Sequence, residues 1–71
     1  MENKKEVGLR LKECRKNLNL TQREVAKKLN MTQQQYNRFE NGVYELNYEQ
    51  IIFLCQLYGV SADYILGIKE Y

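Results

Sequence analysis

Apolar residues recur with helical spacing along most of this chain, and a helix-capping residue precedes most of the apolar segments. In the first segment the spacing i, i+4, i+7, i+11 is occupied by four apolar residues: Val7, Leu11, Cys14 and Leu18. This pattern predicts a first helix from about Lys4 to Asn17. Asn3 with Glu6 could form a capping box at its start. Asn19 suits the turn that follows, because asparagine tolerates the left-handed backbone conformation.

Two short helices follow, each opened by a threonine. Thr21 has Glu24 three residues later, the spacing of a reciprocal capping box, and Thr32 has Gln35 in the same relation. We expect five apolar residues of these helices to be buried: Val25, Ala26, Leu29, Tyr36 and Phe39. Gly42 is placed to end the third helix. Because so few residues separate the two helices, they must cross steeply, and the second then projects from the domain as a groove-reading helix does.

The rest of the chain predicts two more helices. Asn47 with Gln50 caps a fourth helix that ends at Gly59. Its expected core residues are Tyr48, Ile51, Leu54, Cys55 and Tyr58. Ser61 caps a short fifth helix, from Ala62 to about Leu66. With no proline, few glycines and no strand-like alternation, the sequence predicts an all-α fold of five helices, with residues 1–71 forming a single domain and any dimer contact lying within it.

The net charge of +2 is unevenly distributed along the chain. Residues 1–42 hold ten basic and five acidic side chains, a net charge of +5; residues 43–71 hold one basic and four acidic side chains, a net charge of −3. A basic first part suits a polyanion, since phosphate contacts supply most non-specific affinity for nucleic acid. The alternative is a lysine-rich face that is merely solvated.

Several function classes are disfavoured. No apolar run could span a bilayer and the N-terminus is polar, so we expect no membrane association and a cytoplasmic protein. The chain has no histidine and no CxxC pair, which argues against a zinc site; Cys14 and Cys55 are most simply small buried thiols, and a disulfide between them stays open. We expect no cofactor, no metal and no small-molecule ligand, and the absence of catalytic motifs argues against an enzyme.

Five motifs occur together and in order: Leu11-x-x-x-Arg15, Leu20-Thr21-Gln22, Val25-Ala26-x-x-Leu29, Phe39-Glu40-Asn41-Gly42 and Ile51-x-x-Leu54-Cys55-x-x-Tyr58-Gly59-Val60-Ser61. With them the chain resembles the Cro/cI–Xre family of helix-turn-helix repressors. The resemblance implies a five-helix, lambda-repressor-like DNA-binding domain with the helix-turn-helix unit at about residues 21–41. One departure is Leu46, where the family often has proline before the fourth helix.

The resemblance places base-reading side chains on the third helix: Gln33, Gln34, Asn37 and Arg38. These positions are i+3 or i+4 neighbours and therefore share one outward region. Glutamine can bond adenine at N6 and N7, and arginine can bond guanine at O6 and N7. The alternative is that the amides only keep an exposed helix soluble, although lysine and glutamate are the more common residues for that purpose.

The resemblance also implies phosphate-binding residues: Arg15, Gln22, Thr32, Asn41 and Tyr44. Gln22 lies in the first turn of its helix, where free backbone amides and the helix dipole favour an anion. Related repressors pair an arginine at the position of Arg15 with the glutamate at Glu40; the alternative is two unconnected surface charges. Asn41 is expected to donate to a phosphate together with backbone amides of Val43 or Tyr44. Tyr44 could instead pack on the domain as a loop aromatic.

Repressors of this architecture usually bind inverted half-sites as two-fold dimers, because one short helix reads too little DNA. We expect a homodimer contact at Phe53, Leu57, Tyr64 and Ile68, with Tyr71 adding apolar surface; the alternative is that these side chains extend the protein's own core. The predicted function is a sequence-specific, double-stranded-DNA-binding transcriptional regulator, a repressor of phage, plasmid or bacterial origin. The alternative is the antitoxin of a toxin–antitoxin pair, which binds a protein partner and its own operator.

Overall fold

The computed structural model describes residues 4–68, and these residues form five α-helices and no strand. The helices are α1 (Lys4–Asn17), α2 (Gln22–Lys28), α3 (Gln33–Glu40), α4 (Tyr48–Tyr58) and α5 (Ala62–Ile65). The predicted all-α, five-helix fold is confirmed. The first helix has the predicted bounds, and α5 ends one residue earlier than predicted.

The capping boxes predicted for α2, α3 and α4 are present, as is the left-handed turn after α1. Thr21 Oγ1 accepts the backbone N–H of Glu24 at 3.1 Å, and the Glu24 carboxylate accepts the backbone N–H of Thr21 at 2.8 Å. Equivalent boxes open α3 and α4. Asn19 has a left-handed φ of 57°, as expected for the turn after α1. The capping box proposed at Asn3 lies outside the described residues.

The core forms around α3, which packs against both α1 and α2, while α5 packs against α4 and α1. Nine apolar residues are buried: Leu11, Cys14, Val25, Ala26, Tyr36, Phe39, Leu54, Tyr58 and Ile65. Tyr36 is fully enclosed near the middle of α3. A helix anchored in this way at its inner face presents the opposite face in a fixed orientation.

Gly8 brings α1 against the end of α3, a role that the apolar pattern did not indicate. A Cβ atom added at Gly8 would lie 2.6 Å from the carbonyl oxygen of Phe39. Gly42, with φ of +75°, is similarly close to the backbone of Lys5. The first half of α1 therefore contacts the backbone that closes α3, and no side chain fits between them.

Two residues predicted to join the core are exposed, and three more, Leu29, Ile51 and Cys55, are only half-buried. Leu18 is exposed because α1 has already ended at Asn17. Tyr48 is 86% exposed. It is the first residue after the N-cap of α4, and six residues at about 100° each place it roughly 120° around the helix from the buried Leu54. Ile52, one turn after Tyr48, is also exposed.

None of the helices between residues 4 and 68 is long and apolar enough to cross a membrane. Within the same residues, no cluster of histidine, cysteine, aspartate and glutamate is suited to hold a metal ion. Cys14 is buried and Cys55 half-buried, both as free thiols, and burial raises the pKa of each. This is the environment of structural rather than reactive cysteines.

Candidate nucleic-acid interface

A buried ion pair joins the end of α1 to the end of α3. Arg15 Nε donates to Glu40 Oε2 at 2.7 Å, and Arg15 Nη2 donates to Glu40 Oε1 at 3.2 Å. Arg15 Nη1 also donates to the backbone carbonyl of Leu20 at 2.9 Å, which ties the connection before α2 to the same group. The hydrogen bond with Glu40 raises the pKa of Arg15. The predicted pairing is confirmed, and the alternative of two unconnected surface charges is wrong.

Two tyrosine hydroxyls extend the buried polar region behind α3. The Tyr36 and Tyr58 hydroxyls are 2.7 Å apart and hydrogen-bonded. Burial raises the pKa of Tyr58 to about 12, and burial together with the Tyr58 hydrogen bond raises that of Tyr36 still further. Helical periodicity predicted that both rings would be buried. It could not predict that their hydroxyls would meet, because periodicity identifies a face and not a rotamer.

Gln22, the first residue of α2, contacts α3 through its side-chain amide. Its Nε2 donates to Asn37 Oδ1 at 2.8 Å and to Glu40 Oε1 at 3.0 Å. These bonds connect the start of α2, the outer side of α3 and the buried ion pair. The phosphate contact predicted for Gln22 stays a prediction. To donate its amide to a phosphate, Gln22 would have to give up one of these two bonds.

The outer face of α3 carries the predicted base-reading residues. Gln33, Gln34 and Arg38 are exposed, and Asn37 is half-buried. Gln22, Gln33, Gln34 and Asn37 line one shallow groove between α2 and α3. The structure therefore brings four amide side chains together on the surface that a helix-turn-helix presents to DNA.

Tyr44 supports Arg38 from the loop after α3. The Arg38 guanidinium carbon lies 5.5 Å from the centre of the Tyr44 ring, and Arg38 Nη1 donates to the Tyr44 hydroxyl at 3.4 Å. The ring itself meets Phe39 edge to face, with centroids 6.1 Å apart. Tyr44 thus packs on the domain, as one of the two expectations had it. It also contacts Arg38, whose base-reading role stays a prediction.

The remaining predicted phosphate ligands differ in their surroundings. Thr32 is the N-cap of α3 and Asn41 its exposed C-cap, so both lie at ends of the helix that would approach DNA. The backbone amides of Val43 and Tyr44 were expected to be available for phosphate. They donate to the Arg38 carbonyl instead, at 2.8 and 3.3 Å, because they close the last turn of α3.

Arg15 is a weak candidate for direct phosphate contact. Only 10% of its side-chain surface is accessible, and its charge is matched by Glu40. The Arg15–Glu40 pair is neutral overall and adds little positive field outside the protein. The basic character of residues 1–42 therefore depends on exposed residues such as Lys27 and Lys28. A phosphate contact by Arg15 stays a prediction.

The four residues proposed for a dimer contact differ in how exposed they are. Phe53, Leu57 and Tyr64 are half-buried and pack against the core, as the alternative interpretation expected. Ile68 is 59% exposed. Tyr71 lies outside the described residues. The most exposed apolar side chains of α4 are Tyr48 and Ile52, neither of which was predicted to form the dimer contact.

Comparison with known proteins identifies the family. A helix-turn-helix family model of the Cro/C1 type matches residues 11–65, which include all five motifs that carried the resemblance. A search of the curated proteins gives no match. Domains of this family are DNA-binding regulatory domains and not typically enzymes. Because this match covers most of the chain, the chain belongs to the Cro/C1-type helix-turn-helix family.

Proposed function

We propose that this protein is a sequence-specific, double-stranded-DNA-binding transcriptional regulator, and that it acts as a repressor by placing α3 in the major groove. The observation that carries the proposal is the outer face of α3. Gln33, Gln34 and Arg38 are exposed there, while Tyr36 and Glu40 hold the inner face in the core. A short helix fixed on one side and polar on the other fits base recognition.

Rigidity of α3 supports the proposal, because base readout needs side chains at defined positions. The helix has eight residues, too few for a stable isolated helix. Its stability must therefore come from tertiary contacts: the two hydrogen bonds between Arg15 and Glu40, and the close approach of Gly8 to the last turn. These contacts fix the position of α3 before any DNA is bound.

The chemistry of the outer face indicates what it would recognise. Arg38 can contact guanine at O6 and N7, and a glutamine can contact adenine at N6 and N7. Tyr44 limits the freedom of Arg38, which lowers the entropy lost when Arg38 binds a base. Of the predicted phosphate ligands, Thr32 and Asn41 lie at the two ends of α3.

We propose further that two copies bind an inverted repeat with half-sites about one helical turn apart, since one half-site contact is too small for specific binding. Ile68 is the member of the predicted contact set with the most exposed surface. Phe53, Leu57 and Tyr64 could add only the parts of their side chains that the core leaves accessible. The antitoxin alternative stays a prediction, and no contact within residues 4–68 specifically favours it.

Selection of bound fragments from random double-stranded DNA tests the proposal. We expect enrichment of an inverted repeat, and we expect the protein to sediment with its selected fragment as a dimer. A variant carrying Gln34→Ala and Arg38→Ala is the matched comparison, because it changes exposed side chains only and should fold normally. If the unaltered protein enriched no sequence, or enriched the same sequences as this variant, the proposed function would be wrong.

A further inference from the structure

The ion pair behind α3 determines which way the neighbouring amide groups face. A carboxylate has only hydrogen-bond acceptors, and both Glu40 oxygens are engaged with Arg15. The atom of Gln22 that lies 3.0 Å from Glu40 Oε1 must therefore be its nitrogen, since two oxygens would repel each other. The chemistry of Glu40 thus fixes the orientation of the Gln22 amide.

The orientation of the Gln22 amide determines that of the Asn37 amide. The Nε2 group of Gln22 has two hydrogens, and Glu40 accepts one of them. The second is donated to Asn37 at 2.8 Å, so the Asn37 atom facing Gln22 must be the acceptor, Oδ1. The Asn37 nitrogen, Nδ2, is on the other branch of the amide and is turned away from Gln22. Within residues 4–68, no hydrogen bond from Asn37 Nδ2 is seen, and Asn37 lines the groove beside Gln33 and Gln34.

We propose that Gln22 is a positioning residue that holds Asn37 as a hydrogen-bond donor toward DNA. Asn37 then recognises a hydrogen-bond acceptor in the target: N7 of a purine, O6 of guanine, O4 of thymine, or a phosphate oxygen. This differs from the two-bond contact of asparagine with adenine, which also needs Oδ1 to accept from the N6 amino group. The inference rests on the proposed DNA binding for its consequence, but the orientation of the amides exists without DNA.

The orientation is tested first in the free protein. In ¹⁵N-labelled protein, the side-chain amide protons of Gln22 should exchange with water more slowly than those of Asn37, because both Gln22 protons are hydrogen-bonded. The exposed Gln34 amide is the internal reference for unprotected exchange. Protection of the Asn37 protons with rapid exchange of those of Gln22 would overturn the proposal, whatever the protein does with DNA.

The consequence is tested on the selected DNA site with two variants. Asn37→Ala removes the amide that is proposed to donate to DNA. Gln22→Met keeps the length of the Gln22 side chain but removes its hydrogen-bond donors. We expect each to lower affinity for the preferred site about three- to tenfold, the contribution of one hydrogen bond. The double variant should lose no more than Asn37→Ala alone. Gln34→Ala is the control, because its effect should add to that of Gln22→Met. Thermal melting confirms that each variant is folded.

Modified DNA distinguishes the two sources of the acceptor. Replacing a purine by its 7-deaza analogue removes N7, and a methylphosphonate removes one phosphate charge and acceptor. Replacing guanine by 2-aminopurine removes O6, and replacing thymine by 5-methyl-2-pyrimidinone removes O4. One of these four changes should weaken DNA binding by the unaltered protein and have no effect on binding by Asn37→Ala. If removal of an exocyclic amino group gave that result instead, Asn37 would be an acceptor and the proposal would be wrong. Full additivity of Gln22→Met and Asn37→Ala would also overturn it. Failure of the unaltered protein to bind any selected DNA would refute the proposed function and leave the exchange result standing.

Discussion

Replacing Glu40 with glutamine tests the idea that the buried ion pair holds α3 in place. The carboxylate accepts three hydrogen bonds, two from Arg15 and one from Gln22, and the residue is only 3% exposed. Glutamine has nearly the same shape but turns an NH₂ group toward one of these donors. The guanidinium of Arg15 then keeps its charge in a buried position without a counter-charge.

The expected loss is large for a chain of this size. Breaking a buried pair by removing one partner typically destabilises a protein by about 3–5 kcal/mol, and we expect the lower end because glutamine retains one acceptor. A domain of 71 residues has a total stability of roughly 4–10 kcal/mol. At about 4–8 °C per kcal/mol, a loss of about 3 kcal/mol lowers the melting temperature by roughly 12–24 °C.

Thermal melting followed by circular dichroism measures this shift. Glu49→Gln is the matched control, because Glu49 is an exposed glutamate in the first turn of α4 and should contribute less than about 1 kcal/mol. A second comparison replaces both partners, Arg15→Met with Glu40→Leu. This double variant should be more stable than Glu40→Gln, since no unpaired charge stays buried. Equal melting temperatures for Glu40→Gln and Glu49→Gln would refute the reasoning.

Three further predictions concern single positions. Gly8→Ala should lower the free energy of unfolding, measured in urea, by about 1–3 kcal/mol, because the added Cβ would meet the Phe39 carbonyl. Alanine has the better helix propensity, so a more stable variant would contradict the close packing of α1 against α3. Burial raises the pKa of Tyr58 from about 10 in the unfolded chain to about 12. The protonated Tyr58 therefore contributes fully to the free energy of unfolding below pH 10, and this contribution is lost as the pH rises from 10 to 12. Alkaline unfolding monitored by tyrosinate absorbance should show this loss, of which Tyr58 contributes roughly 2–3 kcal/mol. Tyr58→Phe should reduce the loss by that amount but not abolish it, because Tyr36, whose pKa is raised further, still contributes its own share. In binding titrations, Tyr44→Leu should reduce discrimination at the base predicted to contact Arg38 about two- to fivefold, and Tyr44→Phe should bind almost normally. Unchanged discrimination in Tyr44→Leu would show that Tyr44 does not orient Arg38.

The elements of the fold could be predicted from sequence because their signals are local. A capping box such as that of Thr21 and Glu24 needs only two residues three positions apart. The left-handed turns at Asn19 and Gly42 likewise depend on one residue each. The error at Tyr48 has the same origin, because the first residue of a helix can satisfy the apolar pattern and still lie off the buried face.

The connections within the site depend on residues far apart in sequence. Gln22 contacts Asn37 and Glu40 only because α2 and α3 cross at that point, and no spacing rule identifies these partners. The pairing of Arg15 with Glu40 was predicted from family resemblance and not from the residues themselves. Gly8 gave no apolar signal, since its role is to have no side chain at the contact with α3.

Substitutions at Arg38 test whether α3 reads bases. Binding titrations at several salt concentrations compare the unaltered protein, Arg38→Ala and Arg38→Lys on the selected operator and on versions with single base changes. Arg38→Lys keeps the charge but loses the two-pronged contact with guanine. We predict that both variants lose about 1–3 kcal/mol of discrimination at one base position, and that Arg38→Lys retains the salt-dependent binding to unrelated DNA. Equal losses of affinity on every sequence would show that Arg38 does not read a base.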